Sequence, residues 1–321
     1  MTEPVRASAS EPRTGTEALG RLRDNVARVF LGKPETIRLA IVALLARGHV
    51  LIEDVPGVGK TTLAQALARS LGLPFQRIQF TSDLLPSDIL GVSVWNQRSE
   101  SFEFVPGPIF ASIVLADEIN RATPKTQSAL LEAMSERKVT VERRRLDLPE
   151  PFIVLATQNP HEYVGTFPLP ESQLDRFEMH LHLGYPSPEQ EKHLLVSGGV
   201  EAELAGLPVV LSGEELRGLQ ERVARVRVAD SLADYVLALA ERTRQGDAFH
   251  LGVSTRGALG LHRAARALAL VEGRDYVVPD DVQQLAVPVL AHRVVLRRGA
   301  SGLEAARRAI AQVVATTPVP V

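Results

Sequence analysis

The run "LIEDVPGVGKTTL", Leu51 to Leu63, constrains the fold more than any other part of this sequence. A short β-rich stretch, His49 to Asp54, enters a Pro/Gly loop, and "KTTLAQALARSL" leaves it with helical character. Strand, glycine loop and helix in that order suit a phosphate-binding loop, whose full pattern is G-x-x-x-x-G-K-[ST]. Gly59, Lys60 and Thr61 match the closing positions, but Asp54 stands where the opening Gly belongs. In such a loop backbone N–H groups converge on phosphates at a helix N-terminus. Gly57 and Gly59 permit the tight backbone, Lys60 would reach the β and γ phosphates, and Thr61 would offer its hydroxyl to Mg2+. The plain alternative is a strand-to-helix turn with a chance Lys-Thr, and the missing Gly leaves that alternative open.

A second stretch, "SIVLADEIN", narrows the choice. Four apolar residues lead to Asp117 and Glu118. A buried strand ending in two carboxylates suits ATP hydrolysis, with Asp117 holding Mg2+ and Glu118 polarising the attacking water. Alone, it could be a strand running into a solvated acidic loop; beside the glycine loop, it makes ATP the expected ligand. Asn159 follows another apolar strand, "FIVLAT", where it could face the γ-phosphate or merely turn the chain before Pro160. Arg176, in "ESQLDRFEMHLHL", reads as a surface charge in isolation, but in a ring it could reach a neighbour's γ-phosphate. Arg256, in "GVSTRGAL", follows the cap-like Ser254 and Thr255 at a helix start and says nothing by itself.

Further strand-like runs at Phe75–Phe80, Ser112–Asp117 and Phe152–Thr157 are separated in part by helical segments. That alternation predicts an α/β fold with a parallel sheet sandwiched by helices. Beyond Tyr185-Pro186-Ser187-Pro188 the pattern turns helical to about Ala315, with stripes such as Leu216, Leu219, Val223 and Val226. The expected organisation is a tail over 1–17, a nucleotide domain over 18–186, an all-α lid over 187–315 and a loose tail over 316–321. A chain of 321 residues has room for two such cores.

The net charge of −2 argues against nucleic acid as a general partner, and the absence of Cys excludes disulfides and thiol chemistry. No apolar run approaches the ~18 residues of a membrane span, and "MTEPVRASASEPRTGTE" lacks the apolar core of a secretory signal. The expected compartment is the cytoplasm, without membrane insertion. His180 and His182 share a strand face but find no third metal ligand in the sequence. The basic run Arg143 to Arg145 is short and lacks interleaved aromatics, so a solvated turn competes with a polymer-touching loop.

Motifs in this order resemble the AAA+ ATPases, and the MoxR family closely, over residues 18 to 315. The specific segments are "LIEDVPGVGKTTLA", "FVPGPIFASIVLADEINRATPKTQSALLEAMSERKVTV" and "ATQNPHEYVGTFPLPESQLDRFEMHL". This family often opens its loop with the acidic residue found at Asp54. The resemblance implies that Gly57, Val58, Gly59, Lys60, Thr61 and Thr62 form Walker A, with Pro56 also in the nucleotide site, and that Ile113 to Glu118 form Walker B. It makes Asn159 sensor 1, Arg176 the arginine finger and Arg256 sensor 2. Val29 to Gly32 match the family's adenine-side segment, although its usual Gln is here Lys33. Residues 84 to 107 resemble the helix-2 insert of this clade, and Val139 to Leu148 its pre-sensor hairpin.

By the same resemblance, ATP and Mg2+ sit between core and lid and between neighbours in a ring, usually a hexamer. The lid is expected to close over nucleotide and carry Arg256 with it. Family members act as chaperone-like remodellers that activate partner complexes or insert metal or cofactors, often with a von Willebrand factor A domain protein. A nucleic-acid motor and a nucleotide-gated scaffold with slow turnover are the competing readings. Exposed apolar residues of the insert, among Leu84, Leu85, Trp95, Phe102 and Phe104, are the expected protein contacts.

Overall fold

The structure is a computed structural model that describes residues 11–141, 144–159, 165–297 and 302–320. Helices α1 (Glu11–Ala27) and α2 (Pro34–Leu45) precede β1 (Val50–Glu53), and the glycine loop leads into α3 (Lys60–Leu71) and β2 (Phe75–Gln79). An insert comes next, made of the short α4 (Pro86–Leu90) and the hairpin β3 (Gly91–Asn96) and β4 (Ser101–Pro106). The chain continues through β5 (Ile113–Asp117), α5 (Pro124–Glu136), a second hairpin β6 (Lys138–Val141) and β7 (Arg144–Asp147), and then β8 (Ile153–Gln158). A single turn, α6 (Glu171–Leu174), precedes β9 (Met179–Leu181). The remainder is mainly helical: α7 (Pro188–Ser197), α8 (Glu201–Ala205), α9 (Gly213–Arg225), α10 (Asp230–Gln245), α11 (Thr255–Val271), α12 (Pro279–Leu290) and α13 (Leu303–Thr316). Within it, β10 (Phe249–Leu251) and β11 (Val295–Leu296) make a small antiparallel pair.

The central sheet has the order β2-β5-β8-β1-β9, and every pairing in it is parallel. β5, β8 and β9 are buried along almost their whole length, which is why they read as unbroken apolar runs. Successive side chains of a strand point to opposite faces. Val50, Ile52, Ile113, Leu115, Ile153 and Leu155 therefore share one core with the α1–α3 helices and the C-terminal helices. Leu51, Val114, Ala116, Val154 and Ala156 face a second core under α5 and the insert. β2 is an edge strand with exposed Gln76 and Arg77, whereas α12 packs over the opposite edge at β9.

Several sequence expectations shift. Helix α1 begins at Glu11, inside the segment expected to be a tail, because its Gly15 lies against Leu219 and Arg222 of α9. The rest of that expected tail, residues 1–10, lies outside the described residues. At the other end Thr317 is buried and its hydroxyl donates to the Val313 carbonyl at 2.6 Å, so the expected loose tail starts tied to α13. In the insert, Leu84 packs into the second core and Phe104 stacks edge-on against Phe110 at 5.7 Å. Leu85, Trp95 and Phe102 remain exposed at 59%, 50% and 64%, and Trp95 pairs with Phe102 across the hairpin. In the second hairpin Arg144 and Arg145 are exposed, while Arg143 lies outside the described residues.

Candidate functional site

In an open parallel sheet, ligands bind outside the carboxyl ends of the strands, where the strand order reverses. β1 ends there, between β8 and β9, and the glycine loop begins. Gly57 and Gly59 have φ of +83° and +95°, a region that side chains enter only under strain. A Cβ on Gly57 would meet no atom within 4 Å, so backbone conformation rather than crowding requires glycine there. Lys60, Thr61 and Thr62 form the first turn of α3, a helix capped at its far end by the left-handed Gly72. The Lys60 ammonium donates to the Asp54 carbonyl at 2.8 Å, which folds it back over the loop.

Asp54 answers for the missing first glycine. Its side chain is 2% exposed, and its carboxylate accepts the Val55 N–H at 2.9 Å and the Leu183 and Gly184 N–H groups at 2.6 and 2.7 Å. His182 Nδ1 lies 3.1 Å away. The acid thus fastens the glycine loop to the connector between β9 and α7. Lys33 works on the same connector: its ammonium donates to the Gly184 and Val58 carbonyls and lies over the Phe30 ring. Burial lowers the Lys33 pKa, with Asp54 opposing the shift. The adenine-side segment meets the loop here, with Val29 buried, Phe30 against Gly59, and Gly32 at φ +72° under the Gln190 side chain.

The acidic pair sits two strands away at the same edge. Thr157 connects it: the hydroxyl accepts the Glu118 N–H at 2.9 Å and donates to Asp117 Oδ1 at 2.6 Å. Arg77 on β2 pairs with the other oxygen of Asp117 at 2.6 Å. Glu118 has a left-handed backbone, φ +57°, costing about 1–2 kcal/mol for a residue with a Cβ. That turn swings its carboxylate to Gln79 at 2.9 Å and Arg121 at 3.1 Å. Asn159, directly after β8, is buried at the same strand ends. Arg77, Gln79 and Thr157 were not legible as site residues, because each acts through a contact between strands rather than a motif, and Arg121 acts through the turn that follows Glu118.

Arg176 and Arg256 lie elsewhere. They line one cavity of about 320 Å³ with Arg47, Arg137, Arg263 and the buried Glu178. Gly48 and His49, immediately before β1, also line it, which puts it at the amino end of the sheet. β1 alone separates the two ends by roughly 10–13 Å at ~3.3 Å per residue. The start of the helix carrying Arg256 is thus docked at the opposite end of the sheet from the glycine loop of its own chain. Arg176 donates to the Leu131 carbonyl at 2.8 Å and the Ser135 hydroxyl at 2.9 Å. Arg256 is exposed and makes no hydrogen bond or ion pair among the described residues.

His49 underlies this cavity. Its Nδ1 accepts the Val154 N–H at 3.0 Å, so Nε2 carries the proton and donates to the Met134 carbonyl at 3.1 Å. Burial, helped by Arg137, pushes its pKa down to about 4. His180 is buried 3.1 Å from the Glu53 carboxylate, and His182 bonds the Glu53 carbonyl at 3.1 Å. Among the described residues no group of three or more His, Cys, Asp or Glu could hold a metal ion. No helix among them is long and apolar enough to cross a membrane.

Comparison with known proteins agrees with this fold. Residues 49–179 match the model of the ATPase family associated with various cellular activities (AAA), and residues 241–313 match an AAA lid domain. The uncharacterised YeaC of Bacillus subtilis (strain 168) is 49% identical, with 94% of this chain and 95% of that protein covered. Chaperone MoxR1 of Mycobacterium tuberculosis is 45% identical, with 84% and 74% covered. The chain belongs to the MoxR family of AAA+ ATPases. A crystal structure of a candidate ATPase from Cytophaga hutchinsonii has the same architecture, with a TM-score of 0.88, 35% identity and 97% of each chain covered. In this MoxR-family chain the AAA match holds Lys60, Asp117, Glu118, Asn159 and Arg176, and the lid match holds Arg256.

The buried histidine makes stability depend on pH. The folded His49 has a pKa of about 4 against an ordinary 6.5, so its contribution is whole above pH 6.5 and is lost as pH falls toward 4. His180 and His292 are shifted downward too, chiefly by burial, and act with the same sign. Urea unfolding at about pH 7.5 and pH 4.5 is expected to show an acid-side loss on the order of 2–3 kcal/mol larger in wild type than in His49→Gln. An equal loss in both proteins would show that His49 is not held neutral.

Proposed function

We propose that this chain is an Mg2+-dependent ATPase subunit of a ring, in the manner of a hexamer, that uses hydrolysis to remodel partner proteins. The observation that carries the reading is the split of the site. The glycine loop, Asp117, Glu118 and Asn159 share the carboxyl edge of the sheet, while Arg176 and Arg256 share a cavity at the amino edge. A head-to-tail neighbour brings the two edges together, with the arginines of one subunit meeting the phosphates of the next.

In this reading Lys60 exchanges the Asp54 carbonyl for β and γ phosphate oxygens, alongside the N–H groups of Pro56-to-Thr62 loop residues that carry one. Thr61 and Asp117 would hold Mg2+: Thr61 stands on the first turn of α3, and Asp117 ends β5, where Arg77 and Thr157 orient its carboxylate. When bound, the ion supplies neutralisation of charge on the phosphates. Glu118 leaves Arg121 and Gln79 to orient the attacking water and take its proton, and Asn159 steadies that water. Arg176 and Arg256 offset the charge that develops on the transferred group of the neighbour's nucleotide. Val29 to Gly32 and Lys33 border the adenine.

The similarity to MoxR1, a chaperone by name, supports a protein client. So does the insert, whose exposed Trp95 and Phe102 suit protein contact better than phosphate contact. A von Willebrand factor A domain partner and a role in metal or cofactor insertion remain part of this proposal, with a cytoplasmic setting. The alternative of a nucleic-acid motor predicts ATPase stimulation by DNA, which this reading does not.

Purified Lys60→Ala is expected to bind no ATP in calorimetry, since the loop loses its point charge. Glu118→Gln is expected to bind ATP yet lose about 10²-fold or more in turnover. Arg176→Ala should also bind ATP, while losing on the order of 10³-fold. Wild-type turnover in either of the last two would remove that residue from the mechanism. For the client, Glu118→Gln with ATP is expected to capture a protein that is lost when Trp95→Ser and Phe102→Ser are added. Capture of nucleic acid alone would contradict the remodelling reading.

A further inference from the structure

We infer that Asp175 and Ser254 form a clamp that fixes Arg256 beside Arg176, making both positioning residues for the arginine edge. The inference rests on the reading that these two arginines address a neighbour's phosphates.

Asp175 directly precedes Arg176 and closes the turn of α6. Ser254 is the N-cap of α11, two residues before Arg256. Its hydroxyl oxygen accepts the Gly257 N–H at 3.0 Å, satisfying one of the unpaired donors of the helix start. Its single proton is directed at the Asp175 carboxylate, with oxygen separations of 2.9 and 3.0 Å. One hydroxyl therefore caps the helix that carries Arg256 and ties it to the residue beside Arg176, although the two positions are 79 residues apart.

The clamp is backed from beneath. Arg293 has a side chain 1% exposed; it donates to the Phe177 carbonyl and to His292 Nε2, and its Nη1 lies 3.5 Å from Asp175. Helix α11 runs close over this guanidinium, and its glycines leave that approach uncrowded. A Cβ on Gly257 would sit 3.0 Å from Arg293 Nη1 and 2.9 Å from Val253 Cγ1, and one on Gly260 would sit 3.2 Å from Nη1. Arg256 itself has no hydrogen bond or ion pair among the described residues to set its position, so it inherits its placement from the start of α11. Arg176, by contrast, is held by the Leu131 carbonyl and Ser135. Displacing a charged group by about 1 Å from its reacting partner can cost on the order of 10²-fold in rate. The clamp keeps the second arginine in register with the first.

The test is steady-state ATPase kinetics on the full chain, with thermal melting to confirm folding. Ser254→Ala is expected to lower kcat roughly 10- to 100-fold, the range one charge-assisted hydrogen bond accounts for, with KM for ATP unchanged. Ser254→Gly keeps most of the capping tolerance of the position and removes the hydroxyl, so it should lose the same activity with a smaller drop in melting temperature. Ser254→Thr keeps the hydroxyl and should retain wild-type kcat. A merely structural role is separated by coupling: in an Arg256→Ala background, Ser254→Ala should change kcat by less than about twofold, because the residue it positions is gone. If Arg256→Ala is impaired but Ser254→Ala is silent, or its loss multiplies fully with that of Arg256→Ala, the clamp is wrong and the arginine reading stands. If Arg256→Ala turns over at the wild-type rate, the arginine reading falls and the clamp with it.

Discussion

A parallel sheet has two unlike edges, and that polarity governs everything else in this protein. All five strands of the central sheet end on the same side, so the residues just beyond them gather there. The glycine loop after β1, the acidic pair at the end of β5 and Asn159 after β8 converge because their strands are neighbours in register. The residues that lead into β1 and β9 gather at the other edge for the same reason. Arg176, three residues before β9, cannot share an edge with Lys60, which lies beyond the far end of β1, whatever rotamer either adopts. A chain with this arrangement keeps its glycine loop and the cavity lined by Arg176 and Arg256 on opposite sides of the sheet.

The two edges are nevertheless mechanically joined. Asp54 gives its carboxylate to the backbone of Leu183 and Gly184, which continue from β9 toward α7. Buried carboxylates held by N–H donors are costly to leave unpaired, so this tie between loop and connector is costly to break. At the amino edge Asp175 ties α11 to the turn before β9, and Glu178 reaches Arg263 on that same helix at 2.9 Å. β9 thus has one attachment to the glycine loop and others to the helix bearing Arg256. The three residues of β9 lie between these attachments.

Much of this was legible from residue order. The strands β5 and β8 announced themselves because both faces are covered, which leaves no polar position to interrupt the apolar run. The glycine loop, Asp117, Glu118 and Asn159 are local motifs, each set by the few residues at the end of its strand. The exposed hairpin β3–β4 was visible only as an apolar insert, since neither strand shows a clean buried face. The pair β10–β11 is too short to leave a period of two. The reason for Asp54 lay 130 residues downstream, and the pairing of Arg256 with Arg176 depends on where the lid helices dock. Contacts of that separation are set by tertiary packing and leave no spacing to read.

The claim that one site is assembled from opposite edges of two copies is tested most directly by mixing two inactive proteins. Arg176→Ala supplies an intact Glu118 edge, and Glu118→Gln supplies an intact arginine edge. Co-assembly is established first, by isolating mixed oligomers through a tag on one variant. The account predicts that ATPase activity, absent from each variant alone, reappears in the mixture and peaks at intermediate ratios. If verified mixed oligomers show no recovery at any ratio, Arg176 acts within its own chain or not at all, and the split-site account is contradicted.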